Sequence, residues 1–288
     1  GSARTASTRT ASSSPTCSRD RTWEGGGGRG HDPAPVPSPP AGPALAGPAS
    51  ALRADLSSLG ACAQSVAEEL GIGRGAMDAY AARSHQRVAA AYAEGLHDGF
   101  VLPVAELTRD ESLRPEASAE SLGALRPAFS REGAVTAGNS SPINDGALAA
   151  FVGSAAAADR LGMQPLGRIV GSATIGVAPD RFAIAPVPAI EKLLARTGVR
   201  PTDIDLWELN EAFAAVVLAC QQLAPWIDPE RLNVNGGAIA IGHPLGASAP
   251  RVVIDLCREL RRRGGGFGIA AACIGVGLGQ AILVHVEP

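Results

Sequence analysis

Lysine is almost absent from this chain: Lys192 stands alone against 24 arginines, a bias expected of a very GC-rich gene. Aromatic residues make up only 4% of its 288 positions, and the net charge is −3. No segment concentrates positive charge. The run Arg261-Arg262-Arg263 closes a helical pattern, where cations complement the helix dipole, so a nucleic-acid partner is not expected. No apolar stretch reaches the roughly 20 residues of a membrane span, so no membrane partner is expected either. The five cysteines follow no recognisable disulfide spacing, which points to a reducing compartment and a cytoplasmic location. What remains, 45% apolar residues drawn largely from Ala, Val and Leu, together with 35 glycines, suits an α/β enzyme.

Residues 1–50 are a different kind of sequence. They hold eight prolines, eight glycines and eight serines, and almost no aliphatic side chain larger than Ala before Val36. Such a segment buries too little apolar surface to offset ordering entropy, and disorder is expected there. The Gly25–Gly28 run lacks the flanking strand, helix and Lys-Ser/Thr of a phosphate loop and reads as a linker. The first nineteen residues are rich in Arg, Ser and Thr without acids, yet lack the aliphatic face of a transit peptide.

From there on, hydrophobic periodicity predicts a helix over 76–94, a strand over 100–107 and a loop-rich stretch over 113–146. It then predicts strand 166–177, helix 187–197, strand 205–209, helix 211–223, strand 232–241, helix 247–263, strand 267–273 and strand 279–286. This alternation implies a mixed sheet with helices on its faces. The expected division is a tail at 1–50, a loop and ligand-binding region at 51–146 and a C-terminal domain at 147–288.

Two Gly-rich settings carry the chemistry. His243 lies in Gly-His-Pro-Leu-Gly-Ala-Ser at 242–248, thirty residues before Cys273 in Cys-Ile-Gly-Val-Gly. A neutral imidazole takes a proton from a thiol, and a cysteine gives or takes one, so the two form a candidate acid/base pair. Glycines on either side permit positive φ and let backbone N–H groups approach a developing oxyanion. On spacing alone, the plainer reading of a loop histidine and a core cysteine is favoured.

Adding Asn210-Glu211-Ala212-Phe213 gives three ordered blocks, NEAF, NGGAIAIGHPLGAS and CIGVGLG, and this order resembles the thiolase family of coenzyme A acyltransferases. The resemblance runs nearly continuously from Leu59 to Pro288, through Ser84-His85-Gln86-Arg87 and Thr136-Ala137-Gly138-Asn139-Ser140-Ser141-Pro142-Ile143-Asn144-Asp145-Gly146. It implies that His243 activates the nucleophile and helps hold the thioester oxygen, and that Cys273 moves a proton to or from the carbon nucleophile. Asn210 would orient a water at an oxyanion site. Leu59, Phe129, Ala137 and Phe213 would offer apolar surface to coenzyme A, and Ser141 a hydrogen bond, although turn and core packing are alternative roles for all five. The implied reaction is thiolysis of a 3-oxoacyl-coenzyme A, or the reverse Claisen condensation. No metal and no permanently bound cofactor is implied, since coenzyme A and acyl-coenzyme A act as substrates. The family assembles as dimers or dimers of dimers.

In that family the acyl-carrying cysteine lies in a first half, in a Cys-Ser-Ser-Gly-like turn, and no counterpart is found here. Cys17 falls in the tail, Cys62 aligns with a threonine-like position, and Cys220 and Cys257 fall in helical patterns. The expected fold is therefore the loop region and C-terminal half of the five-layer αβαβα thiolase architecture, inactive by itself and exposing an apolar helix face. A non-catalytic acyl-coenzyme A-binding or partner module is the alternative. The chain begins at Gly1 rather than Met, and a frameshift or wrong start that replaced the first half with residues 1 to about 50 is expected. One departure touches the site: Ala249-Pro250 stand where the family has Gly-Ala, with a first-turn Pro250 expected, and a cost at Ala249 expected where that glycine sits at positive φ or against the ligand.

Overall fold

The structure is a computed structural model that describes residues 58–288; the tail at 1–50, with Cys17 and the Gly25–Gly28 run, lies outside the described residues. Alternation in four strands builds its centre. These are β1 (Arg168–Gly176), β2 (Leu206–Leu209), β3 (Gly266–Ile274) and β4 (Leu278–Val286), in the order β1-β4-β3-β2. β4 runs antiparallel to both β1 and β3, while β2 pairs parallel with β3 through Leu206↔Gly268 to Leu209↔Ala271.

Successive side chains on a strand point to opposite faces, and the two cores follow that parity. Trp207, Leu209, Ile269, Ala271, Ala281 and Leu283 belong to the larger core, with Ile190 and Leu193 of helix α5 (Pro186–Thr197). Their neighbours Leu206, Ala270, Val284 and Val286 face the opposite way, onto Val252, Leu256 and Leu260 of helix α8 (Leu245–Arg262). The larger core continues into α1 (Leu59–Glu69), α2 (Arg74–Ala93) and α6 (Ala214–Leu223), whose small side chains Ala63, Ala67, Ala81, Ala215 and Ala219 are fully buried. Short helices α3 (Ala119–Gly123), α4 (Ala155–Leu161) and α7 (Ala238–Ile241) complete the described elements of regular helix. Among the described residues no helix is long and apolar enough to cross a membrane.

Three expectations need correction. Residues 100–107 form turns with a single Val104↔Leu107 bridge, since Leu102 and Val104 are exposed and no neighbouring strand pairs with them. Residues 232–241 do not form a strand. Leu232 makes one bridge to Trp207, Asn233 and Gly236 turn at positive φ, and the alternating Ala-Ile pattern becomes α7. Ala249 is unstrained: α8 begins at Leu245, two residues early, so Ala249 lies inside a helix at negative φ and Pro250 stands in the second turn. There the proline lacks the N–H that would bond the Gly246 carbonyl, a cost that falls on Pro250 rather than on Ala249. The prominent exposed apolar side chains also lie mainly on loops, at Ile143, Phe151, Val152 and Val276, rather than on one helix face.

Candidate active site

β2 and β3 are parallel, so their C-terminal ends meet at one edge, where open α/β sheets gather ligands. Asn210 follows β2 directly, and its N–H bonds the Ala271 carbonyl on β3 at 2.9 Å, two residues before Cys273. The side chain of Asn210 is 2% exposed. Its Nδ2 lies 3.3 Å from Nε2 of His243, which arrives from the other side of the molecule's sequence through α7. Gly242, at φ 93°, makes the turn into His243. An added Cβ there would meet the Asn144 side chain at 2.3 Å, so only glycine lets the 142–146 loop close against this turn. The His243 N–H anchors it by donating to the Pro142 carbonyl at 2.9 Å.

The hydrogen bonds fix the imidazole's tautomer. Ser248, in the first turn of α8, spends its single hydroxyl proton on the Pro244 carbonyl at 3.0 Å. Its oxygen therefore accepts from Nδ1–H of His243, 2.6 Å away. Nε2 then carries the lone pair, toward which the Asn210 amide donates. Burial, followed by the positive charge of Arg251, holds the His243 pKa below the ordinary histidine value, so the ring is neutral and basic at neutral pH. The Oδ1 of Asn210 is buried without a protein partner, an acceptor suited to a water or substrate donor.

Cys273 lies opposite Gly279, one pair before the end of the β3–β4 ladder, and is 9% exposed. Burial pushes its thiol up to about 12. It is thus a thiol at neutral pH and a strong base once deprotonated. The turn beyond it is anchored where Gly277, at φ 81°, passes within 2.3 Å of the Val177 carbonyl by the measure of an added Cβ. That anchor leaves Val276 in the left-handed region at φ 66° and ψ 23°, an unfavourable conformation for a β-branched residue. Val276→Gly is expected to raise unfolding stability by about 1 kcal/mol in urea titration.

The residues expected at the coenzyme A surface fall into a connected patch. Phe129 lies on Gly60, next to Leu59, and its ring meets Phe213 edge-on at 5.9 Å. Phe213 bridges to Ser140, and Ser141 donates both its N–H and its hydroxyl to the Ala212 carbonyl, each at 3.0 Å. Leu59, Phe129 and Ala137 are exposed, Phe213 and Ser141 partly so. Because the Ser141 proton is spent, that hydroxyl meets a ligand only as an acceptor. Cys220 and Cys257 are buried helix thiols, as the pattern implied, and Cys62 is likewise buried in α1.

Glu211 is the residue that sequence reasoning passed over. Although only 1% exposed, its carboxylate accepts from Tyr80 Oη at 2.7 Å, Ser84 Oγ at 2.6 Å, Asn233 Nδ2 at 3.1 Å and the Ile239 N–H at 3.1 Å. It ties α2, the 233–237 loop and the start of α7 to the residue beside Asn210. A glutamate inside the apolar run Leu206-Trp207-Glu208-Leu209-Asn210-Glu211-Ala212-Phe213 was the available signal.

Three histidines, His85 buried and His97 and His243 partly buried, give the protein a pH dependence. Burial is the largest cause holding His85, His97 and His243 below their ordinary value near 6.5. As pH falls through that value the unfolded chain takes up protons before the folded one, so stability is lost on acidification. The urea midpoint is expected to be lower at about pH 5.5 than at about pH 7.5.

Comparison with known proteins accounts for this arrangement. The thiolase N-terminal domain model matches residues 51–156 and the thiolase C-terminal domain model residues 163–286. An acetyl-CoA acetyltransferase of Shinella zoogloeoides is 45% identical over 235 residues, covering 79% of this chain and 60% of the relative. A 3-ketoacyl-CoA thiolase of Bacillus subtilis is 42% identical over 243 residues, covering 78% and 61%. The chain thus spans about three-fifths of the length of these relatives. Among solved structures, Bacillus anthracis acetyl-CoA acetyltransferase superposes with a TM-score of 0.73 at 38% identity, covering 79% of this chain and 59% of that one. Human mitochondrial 3-ketoacyl-CoA thiolase in complex with CoA gives 0.73 at 39% identity, covering 78% and 58%. With both domain models matched in order and the layered α/β fold shared, this chain belongs to the thiolase family.

Proposed function

We propose that this chain carries the acid/base part of an acyl-coenzyme A acyltransferase site, which acts in thiolysis of a 3-oxoacyl-coenzyme A or the reverse condensation. The Asn210–His243–Ser248 array is the observation that carries this reading. Nε2 of His243 accepts the proton of an attacking thiol, which displaces the Asn210 amide from its lone pair, and Ser248 holds the ring in the tautomer that leaves Nε2 unprotonated. Asn210 directs its amide at Nε2 and offers Oδ1 to a water that donates toward the thioester oxygen. Cys273, with its thiol pushed up to about 12, matches a weak carbon acid. In thiolysis it gives its proton to the departing carbanion, and in condensation its thiolate takes one from the α-carbon.

The acyl-carrying nucleophile belongs to a first half supplied with this chain, and the site is inactive without it. Leu59, Phe129, Ala137 and Phe213 receive the apolar stem of coenzyme A, with Ser141 accepting from one of its amides. The human enzyme solved with CoA supports coenzyme A as the ligand class. Residues 51–146 form the ligand-binding region and 147–288 the C-terminal domain, and the complete protein is a cytoplasmic homo-oligomer.

The test is acetoacetyl-coenzyme A thiolysis by the chain alone and with a separately produced thiolase first half. Turnover only in the mixture, lost when the first half's cysteine is replaced, supports this reading. Coenzyme A binding with no turnover in either case overturns it in favour of a binding module.

A further inference from the structure

The Asn210–His243 contact brings together two segments that the sheet does not pair. Asn210 follows β2, while His243 leaves the one-turn helix α7. α7 starts behind Gly237, which has no side chain to cap it. The N–H groups at its start are answered from elsewhere: that of Ile239 by Glu211 Oε2 at 3.1 Å, and that of Gly237 by Ser84 Oγ at 3.1 Å. Ser84 in turn donates to the same Glu211 oxygen at 2.6 Å. The carboxylate packs so near this start that a Cβ added to Gly237 would meet Glu211 Cδ at 2.7 Å. From there the helix turn is closed by the Gly242 N–H on the Ala238 carbonyl at 2.8 Å, and His243 is the next residue.

The same network grips the chain on both sides of Asn210. Before it, the Asn233 side chain accepts from the Leu209 N–H at 2.8 Å and donates to the Leu209 carbonyl at 2.9 Å. After it stands Glu211, whose Oε1 accepts from Tyr80 Oη at 2.7 Å and Asn233 Nδ2 at 3.1 Å. Tyr80, Ser84, Asn233 and Glu211 are all buried, so water does not stand in for a partner that is lost. The charge that acts on the His243 ring is that of Arg251, so Glu211 reaches the ring through contacts and not through its field.

We infer that Glu211 is a positioning residue of the acyltransferase site: it acts through Asn210 and α7, fixing the His243 turn relative to Asn210 and with it the aim of the Asn210 amide at Nε2. The inference rests on the acid/base role proposed for His243. A base misplaced by about 1 Å loses about a hundredfold in rate, so the alignment is worth holding with four buried hydrogen bonds.

The experiment compares the unaltered chain with Glu211→Gln and Ser84→Ala. Glu211→Gln keeps the volume but answers the donors with one oxygen, and Ser84→Ala keeps the carboxylate but cuts its link to the Gly237 N–H. The first reading is nitrogen-15 NMR of the His243 ring in the chain alone. In Glu211→Gln, and to a lesser degree in Ser84→Ala, the Nε2 resonance is expected to move toward that of an imidazole nitrogen that accepts no hydrogen bond. The second reading is acetoacetyl-coenzyme A thiolysis with a first half supplied, where Glu211→Gln is expected to lower kcat about ten- to a hundredfold and leave KM for coenzyme A unchanged. A folded Glu211→Gln chain whose Nε2 resonance stays in place, or whose loss lies in KM with kcat intact, overturns the inference. The NMR reading needs no turnover, so a mixture without activity counts against the proposed function while the resonance still decides the role of Glu211. If Glu211→Gln does not fold, the resonance in Ser84→Ala decides.

Discussion

Replacing Glu211 by leucine is expected to lower unfolding stability by about 4 kcal/mol or more, a large part of the roughly 5–15 kcal/mol that holds a domain folded. The substitution keeps most of the volume and removes the acceptor of four hydrogen bonds, from Tyr80, Ser84, Asn233 and the Ile239 N–H. Each donor left buried without a partner costs about 1–3 kcal/mol. Partial repair comes from Asn233 Nδ2, which keeps its bonds to Tyr80 Oη at 2.9 Å and to the Leu209 carbonyl at 2.9 Å. Ser84 also keeps an acceptor role toward the Gly237 N–H at 3.1 Å. The losses are therefore not summed in full. Glu211→Gln retains one oxygen and is expected to cost clearly less than Glu211→Leu. Urea unfolding of the three proteins checks the order; a Glu211→Leu loss below about 1 kcal/mol would show the carboxylate to be incidental.

The second large effect is on chemistry. In the chain supplied with a first half, His243→Ala is expected to lower kcat for acetoacetyl-coenzyme A thiolysis by about 10²–10⁴-fold, the range for loss of a positioned general base. Ser248→Ala is expected to cost about tenfold, because it removes one hydrogen bond that selects the tautomer and leaves the base in place. The ratio between the two variants matters more than either value. Equal losses would mean that Ser248 holds the loop and not the ring's proton.

The sheet and its helices were legible because each strand of the C-terminal part alternates cleanly enough for parity to assign its faces. β1, β3, β4 and α5 fall within two residues of their expected ends. The failures share a physical cause. Residues 100–107 and 232–241 alternate like strands, but alternation needs a neighbouring strand to become structure. The first has none, and in the second Asn233 and Gly236 turn the chain at positive φ. Ala249 was misjudged for a related reason, since a residue change in a Gly-rich loop signals strain only if the loop persists there, and α8 had already begun.

The site was legible as residue identities and not as connections. His243, Cys273 and Asn210 could be named from their blocks, but no spacing announces that Ser248 selects the ring's tautomer or that Glu211 answers four donors from distant segments. A buried charge is visible in sequence only as a charged letter in an apolar run.

The central claim is that His243 is a neutral base whose Nδ1 carries the proton and whose Nε2 is unprotonated. Nitrogen-15 NMR of the histidine rings, with His243 assigned by its loss in His243→Gln, reads that proton directly. The account predicts a protonated Nδ1 and an unprotonated Nε2 at neutral pH, with a ring pKa below the ordinary histidine value. A ring protonated at Nε2, or on both nitrogens at neutral pH, would contradict it.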